Sequence, residues 1–152
     1  MRVLLTGMSG VGKSTVVAEL RRRGVLAYDA DGGLSEPRED GRWGWRLDAV
    51  EALLAAHADD VVFFAGCSEE QALIEWDVRV LLSVPEDVLV QRLRSRTTNA
   101  FGRRDAELAL ILDDVREVEP LMRASADVVI DATLPPAEVA DQVQRAAASP
   151  RR

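Results

Sequence analysis

The sequence predicts an α/β fold in three layers, with a five-stranded parallel sheet covered by helices on both faces. Three observations carry this. Five short apolar runs alternate with stretches of helical period, the pattern of repeated strand–helix units. The run at 60–65, Asp-Val-Val-Phe-Phe-Ala, is apolar on both faces, as a strand buried between two helical layers must be. The first run, Arg2-Val3-Leu4-Leu5-Thr6, leads through a glycine-rich turn straight into a helical pattern.

That turn is Gly7-Met8-Ser9-Gly10-Val11-Gly12-Lys13-Ser14-Thr15, and residues 7–14 fit the spacing G-x-x-x-x-G-K-[ST] of a phosphate-binding loop. Gly7, Gly10 and Gly12 permit backbone angles and close approaches that a Cβ would forbid. Successive N–H groups of the loop, Ser9 and Val11 among them, then face inward at the positive end of the following helix. Lys13 is spaced to reach the β- and γ-phosphates of a nucleotide. The Ser14 hydroxyl is spaced to meet Mg²⁺, with Thr15 beside it. The loop therefore predicts a bound nucleotide with Mg²⁺.

The helix at 13–23 turns Val16, Val17 and Leu20 inward and stops at Gly24, after three arginines that suit its C-terminal dipole. A second strand, 25–28, runs into Asp29-Ala30-Asp31-Gly32-Gly33. Residues 32–46 have no period and read as a long functional loop. Leu47, Val50, Leu53 and Leu54 mark a helix reaching His57. The third strand ends in Gly66-Cys67-Ser68, and a short helical stretch follows at 69–73. The fourth strand is 78–83. Pro85 opens a helix through Val88, Leu89 and Leu93. The pattern breaks at 97–102. Helical spacing then links Leu108, Ile111, Leu112, Val115 and Val118, with Pro120 near the end. The fifth strand is 127–131, and Val139, Val143, Ala146 and Ala147 line a last helix.

At 152 residues the chain suits one domain, 1–148, with a frayed tail at 149–152. A net charge of −7 supplies no general positive field, which argues against nucleic acid or a membrane surface as partner. A single cysteine excludes an intrachain disulfide and a cysteine-cluster zinc site. No run reaches membrane-spanning length, and the first strand begins at once, leaving no room for a leader. The expected location is the cytoplasm, where ATP and Mg²⁺ are at hand.

Ligands of such sheets sit at the carboxyl ends of the strands. Asp29 and Asp31, two residues apart at such an end, can point the same way if the backbone stays extended. Strand three ends without an Asp, so Asp29 is the candidate support for the metal and Asp31 the candidate acceptor contact or base. Asp before Gly is equally ordinary turn chemistry. Arg92 and Arg96 share a helical face, and with Arg103 they bracket a segment at 96–104 that reads as a short lid. Arginines closing there would stabilise charge on a transferring phosphoryl group. A solvated basic helix end is the alternative. Trp43 and Trp45, beside Arg38, Arg42 and Arg46, could stack on and pair with an aromatic or anionic acceptor; the alternative is that one Trp covers the edge of the core. Cys67 reads as a buried, inert thiol, Trp76 as packing, and His57 as a helix-end or surface residue.

With these residues in place, the chain resembles the small P-loop kinases: nucleoside monophosphate kinases, shikimate kinase and gluconate kinase. The resemblance rests on GMSGVGKS at 7–14, Asp-x-Asp at 29–31, Gly66, Arg-Leu-x-x-x-Arg at 92–96 and Asp131-Ala132-Thr133. It implies strand order 2-3-1-4-5, and adenine held between the lid arginine and the loop at 131–135. It also implies an acceptor site drawn from residues 31–57 and 66–71. Transfer of the γ-phosphoryl group of ATP to a small acceptor is then expected, the acceptor being a metabolite hydroxyl or a nucleoside monophosphate. Lys13, Asp29, Asp31 and Arg96 would be catalytic, while Gly7 to Thr15, Arg92 and Arg103 would hold the nucleotide. The glycine run that follows strand three in shikimate kinases is absent, since Gly66 is followed by Cys67-Ser68. A monomer or a homodimer suits this reading. The alternative is an ATP-dependent regulatory or nucleotide-binding protein without a small acceptor.

Overall fold

The structure, a computed structural model, describes residues 1–39, 41–97, 102 and 104–149. Its main sheet comprises β1 (Arg2–Thr6), β2 (Ala27–Asp29), β5 (Val62–Ala65), β6 (Val78–Ser83) and β7 (Val128–Asp131). They are all parallel, in the order β2-β5-β1-β6-β7. Numbered among themselves these strands run 2-3-1-4-5, as expected. Around the sheet lie α1 (Lys13–Arg22), α2 (Leu47–Ala56), α3 (Glu86–Ser95), α4 (Asp105–Glu117), α5 (Glu119–Ser125) and α6 (Pro136–Ala148).

Parallel strands bury both faces, and the alternation along β1 divides the core. Val3 and Leu5 join Val16, Val17 and Leu20 of α1, and Val139 and Val143 of α6, in one cluster. Leu4 faces the other way, with Phe64, Val50, Leu54, Trp45 and Trp76. Helices α1 and α6 are also tied by Arg23. Its guanidinium donates to Asp141 (2.6 Å), Gln144 (2.8 Å) and the Ala137 carbonyl (2.9 Å).

Two expectations need correction. Residues 32–46 are not one irregular loop. They contain an antiparallel hairpin of β3 (Ser35–Pro37) and β4 (Trp43–Trp45). Strands of three residues that include a proline and a glycine leave no two-residue period to detect. The last turn of that hairpin also puts the two tryptophans in opposite settings. Trp43 is 67% exposed and Trp45 4% exposed. The indole of Trp45 packs edge-on against Phe64, with ring centres 4.9 Å apart, and against Trp76 at 6.3 Å. Trp45 is therefore core, not a free stacking surface. The second correction concerns the helix through Leu108 and Val118, which is two helices. Val118 closes α4 and opens α5, so Pro120 falls in the first turn of a new helix, where its missing N–H has no intrahelical partner to lose.

Truncating Trp45 to Ala should cost roughly 3–5 kcal/mol in urea unfolding, as for other large buried aromatics. Trp43→Ala should stay within about 0.5 kcal/mol. An acid titration reads a different contact. Glu19 accepts hydrogen bonds from Arg22 and Arg23, which hold its carboxyl down to about 2 from its ordinary 4.5. A depressed carboxyl contributes stability above its unfolded pKa and loses it as pH falls through the folded one. The Tm difference between the parent and Glu19→Gln should thus be constant above pH about 4.5 and close towards pH 2.

Candidate functional site

The loop between β1 and α1 is shaped by what its glycines lack. Gly7 has φ +148°, and a Cβ there would lie 2.5 Å from the Leu82 carbonyl oxygen of β6. The chain can pass the end of that neighbouring strand only without a side chain. Gly12, the N-cap of α1, has φ +106°, and a Cβ on it would meet nothing nearer than the Arg92 guanidinium at 3.9 Å. The space beside Gly12 is open where the first-turn N–H groups of α1 have no intrahelical acceptor. This is a cradle for an anion.

Lys13 lies across it. Its ammonium donates to the carbonyls of Gly7 (2.6 Å) and Met8 (3.1 Å). Burial pushes its pKa below the usual lysine range, while Cys67, Asp31 and Asp29 pull it back and the Arg96 charge adds to the lowering. The charges that act on this ammonium thus come from the ends of β2 and β5 and from α3. A desolvated cation that, among the described residues, donates to two carbonyls gains from a phosphate.

Asp29 ends β2 and is half-buried. One of its carboxylate oxygens accepts the Asp31 N–H at 3.0 Å, an Asx turn that orients the group. Asp31 itself is exposed. The Ala30 N–H between them donates to the Ala65 carbonyl at 2.9 Å, which continues the β2–β5 pairing and carries both aspartates to the sheet end. The Ser14 and Thr15 side chains are exposed on the first turn of α1. No cluster of three His, Cys, Asp or Glu suited to a metal occurs among the described residues. Mg²⁺ is commonly held by one or two protein oxygens plus substrate phosphates and needs no such cluster.

The two arginines of α3 differ. Arg92 bridges two loops: its guanidinium donates to the Val11 carbonyl at 3.0 Å and to the Ala132 carbonyl at 2.8 Å. It braces the phosphate loop against the loop after β7, where Asp131 accepts the Thr133 N–H and hydroxyl. Those bonds, led by the hydroxyl's, hold the Asp131 carboxyl below its usual range, with Arg92 adding to the effect. Arg96 reaches into the loop itself, its guanidinium 3.4 Å from the Ser9 hydroxyl. Arg103 and most of the segment read as a lid lie outside the described residues.

Sequence reasoning missed one part of the site and misjudged another. Glu70, in the 3₁₀ turn Glu69–Leu73, is buried. It accepts from the Arg38 guanidinium, the Ser68 hydroxyl and the Trp45 N–H, so it fastens the β3–β4 hairpin over the end of β5. Only pairing across 32 positions of sequence reveals this, and neither residue stands in a recognisable motif. Cys67 is exposed, not buried, because β5 ends at Ala65 and the chain turns outward after Gly66. Its sulfur lies 3.8 Å from that of Met122.

The family described as "AAA domain" matches residues 3–113. The sequence has no significant match among curated proteins. Among solved structures, a gluconokinase from Sinorhizobium meliloti 1021 is 25% identical, with a TM-score of 0.63 over 97% of this chain and 91% of that one. Shikimate kinase from Bacteroides thetaiotaomicron is 23% identical, with a TM-score of 0.60 over 95% of both chains. Shikimate kinase from Acinetobacter baumannii, in complex with shikimate, is 17% identical, with a TM-score of 0.61 over 95% of this chain and 89% of that one. The fold is thus that of the small P-loop kinases of the shikimate and gluconate kinase group, and the chain belongs to the AAA-domain family.

Proposed function

We propose that the chain is an ATP-dependent kinase that transfers the γ-phosphoryl group to a hydroxyl of a small acceptor. The observation that carries this reading is the phosphate loop with the Lys13 ammonium held on its Gly7 and Met8 carbonyls, beside an Asp29–Asp31 turn at the end of β2. A phosphate loop alone would bind nucleotide. Carboxylates at the end of β2, two strands away, add what a transfer needs.

In this reading the loop from Gly7 to Thr15 holds the donor phosphates, and Lys13 lies along the β- and γ-oxygens. The acceptor oxygen attacks the γ-phosphorus in line as the bond to the β-bridging oxygen breaks. Asp31 takes the acceptor proton, and Arg96 balances charge on the transferring group. Mg²⁺ held from Ser14 and Asp29 would neutralise charge developing on the phosphate oxygens. Arg92 positions the loop through Val11, and Arg103 is assigned to the nucleotide side of the lid at 96–104. Residues 31–57 and 66–71 form the acceptor half.

The hairpin bears on acceptor size. A Cβ on Gly66 would lie 2.8 Å from the Trp45 ring and 3.0 Å from the Ala30 methyl. The indole occupies the space over the end of β5, which favours a compact hydroxyl acceptor over a nucleoside monophosphate. The gluconokinase and shikimate kinases of like fold act on molecules of that class by their names. The cytoplasm, with its ATP and Mg²⁺, suits the reaction, and no described helix is long and apolar enough to cross a membrane.

ADP release with a panel of polyhydroxy acids, sugars and nucleoside monophosphates tests the reading. Turnover should require a small hydroxylated acceptor. Asp31→Asn should lower kcat by about 10²–10⁴ while leaving ATP affinity within about twofold, the loss typical of a missing general base. Lys13→Ala should weaken both. Equal turnover by Asp31→Asn, or hydrolysis indifferent to every acceptor, would overturn it. Gly12→Ala probes the cradle separately. It should fold, with about 1–2 kcal/mol lost to the positive φ, and should no longer bind ATP in calorimetry.

A further inference from the structure

Arg79 stands on an inner strand of the sheet. Its strand, β6, lies between β1 and β7, and Arg79 is opposite Leu4 of β1. The residue is half-buried. The adjacent carboxylate, Asp127, accepts the backbone N–H of Arg79 at 2.7 Å, not its guanidinium. Among the described residues, none makes a hydrogen bond or ion pair with that guanidinium. The chain has 26 acidic residues against 19 lysines and arginines, so a partner of opposite charge is not scarce. Its nitrogens are open to solvent, so the fork is available to an anion from solution.

Arg79 lines a cavity of about 240 Å³ on the Leu4 face of the sheet. Leu4 and Thr6 line it from β1, Gln71 from the 3₁₀ turn, and Met122 and Ser125 from α5. The Thr6 hydroxyl and the Gln71 amide oxygen are bonded to each other at 2.9 Å. The cavity thus combines one charge, a few polar groups and an apolar wall, the makeup of a small-molecule site. Neither Lys13 nor any residue of the phosphate loop lines it.

We propose that this cavity is a second ligand site and that it takes a small organic carboxylate with an apolar body of roughly four to six carbons, the size its volume admits. The carboxylate pairs with the Arg79 fork, and the hydrocarbon lies against Leu4 and Met122. An occupant would touch residues that border the phosphate loop. Thr6 directly precedes Gly7, and the Met122 sulfur takes the Thr6 hydroxyl at 3.5 Å while lying 3.8 Å from the Cys67 sulfur. The proposal does not depend on the kinase reading, since no group of the transfer site is needed to hold the ligand.

Isovalerate, a branched carboxylate, titrated into the full chain and followed by calorimetry and ligand-observed NMR, tests it. Saturable binding is expected, roughly tenfold or more weaker in Arg79→Met and for the uncharged isovaleramide. Lys13→Ala should bind isovalerate as the parent does, though it loses ATP. Ala72→Trp, an exposed position on the cavity wall, should fill the space with Arg79 intact and lose isovalerate while keeping the parent Tm. Absence of saturable binding to the parent, undiminished binding by Arg79→Met, or loss in Lys13→Ala would overturn the proposal. If Arg79→Met does not fold, Ala72→Trp decides, and retained binding there overturns it.

Discussion

The passage of the chain beneath the end of β6 at Gly7 is the constraint on which the rest of the molecule depends. Parallel pairing of β1 with β6 brings the Leu82 carbonyl to within 2.5 Å of where a side chain would start. Without that close passage the loop could not turn back over the strand end and lead into α1. The Lys13 ammonium would then lie elsewhere than across the Gly7 and Met8 carbonyls. The central position of β1 in the sheet and the shape of the anion cradle are thus one geometric fact.

From that fact follows the electrostatics of the site. A lysine drawn over its own loop loses water, and burial lowers its pKa. The sheet supplies compensation from the side: β2 lies two strands away, and the charges of Asp31 and Asp29 at its end oppose that lowering. The Arg92 bridge between Val11 and Ala132 holds the loop against the β7 end. The aspartates sit at a strand terminus, where ligands of such sheets bind, while Lys13 and Arg92 reach it from α1 and α3.

The acceptor half is built on a different principle. It depends on one buried carboxylate, Glu70, which gathers Arg38, Ser68 and the Trp45 N–H. A buried acid is tolerable only when its oxygens are met, and meeting them fastens a two-stranded hairpin too short to be stable alone. Trp45 is thereby pressed onto Gly66 and Phe64, and the space over β5 is reduced.

The sequence by itself determined what local spacing encodes. The five strands of the sheet, the phosphate loop and the Asp-x-Asp at a strand end were legible because period, glycine placement and residue type act within a few positions of one another, while the strand order came from the resemblance to small P-loop kinases. Only the tertiary structure decided what distant residues do together. The hairpin at Ser35–Trp45 was hidden by its Pro37 and Gly44, and the break at Val118 by an unbroken apolar period on both sides. Whether Trp45 faces the core or a ligand depends on Glu70, and whether Cys67 is buried depends on where β5 stops. The unpaired Arg79 likewise looked like any charge on a strand until Leu4, Gln71 and Met122 closed around the space beside it. Burial and pairing are properties of neighbours in space, and those neighbours here lie tens of residues apart along the chain.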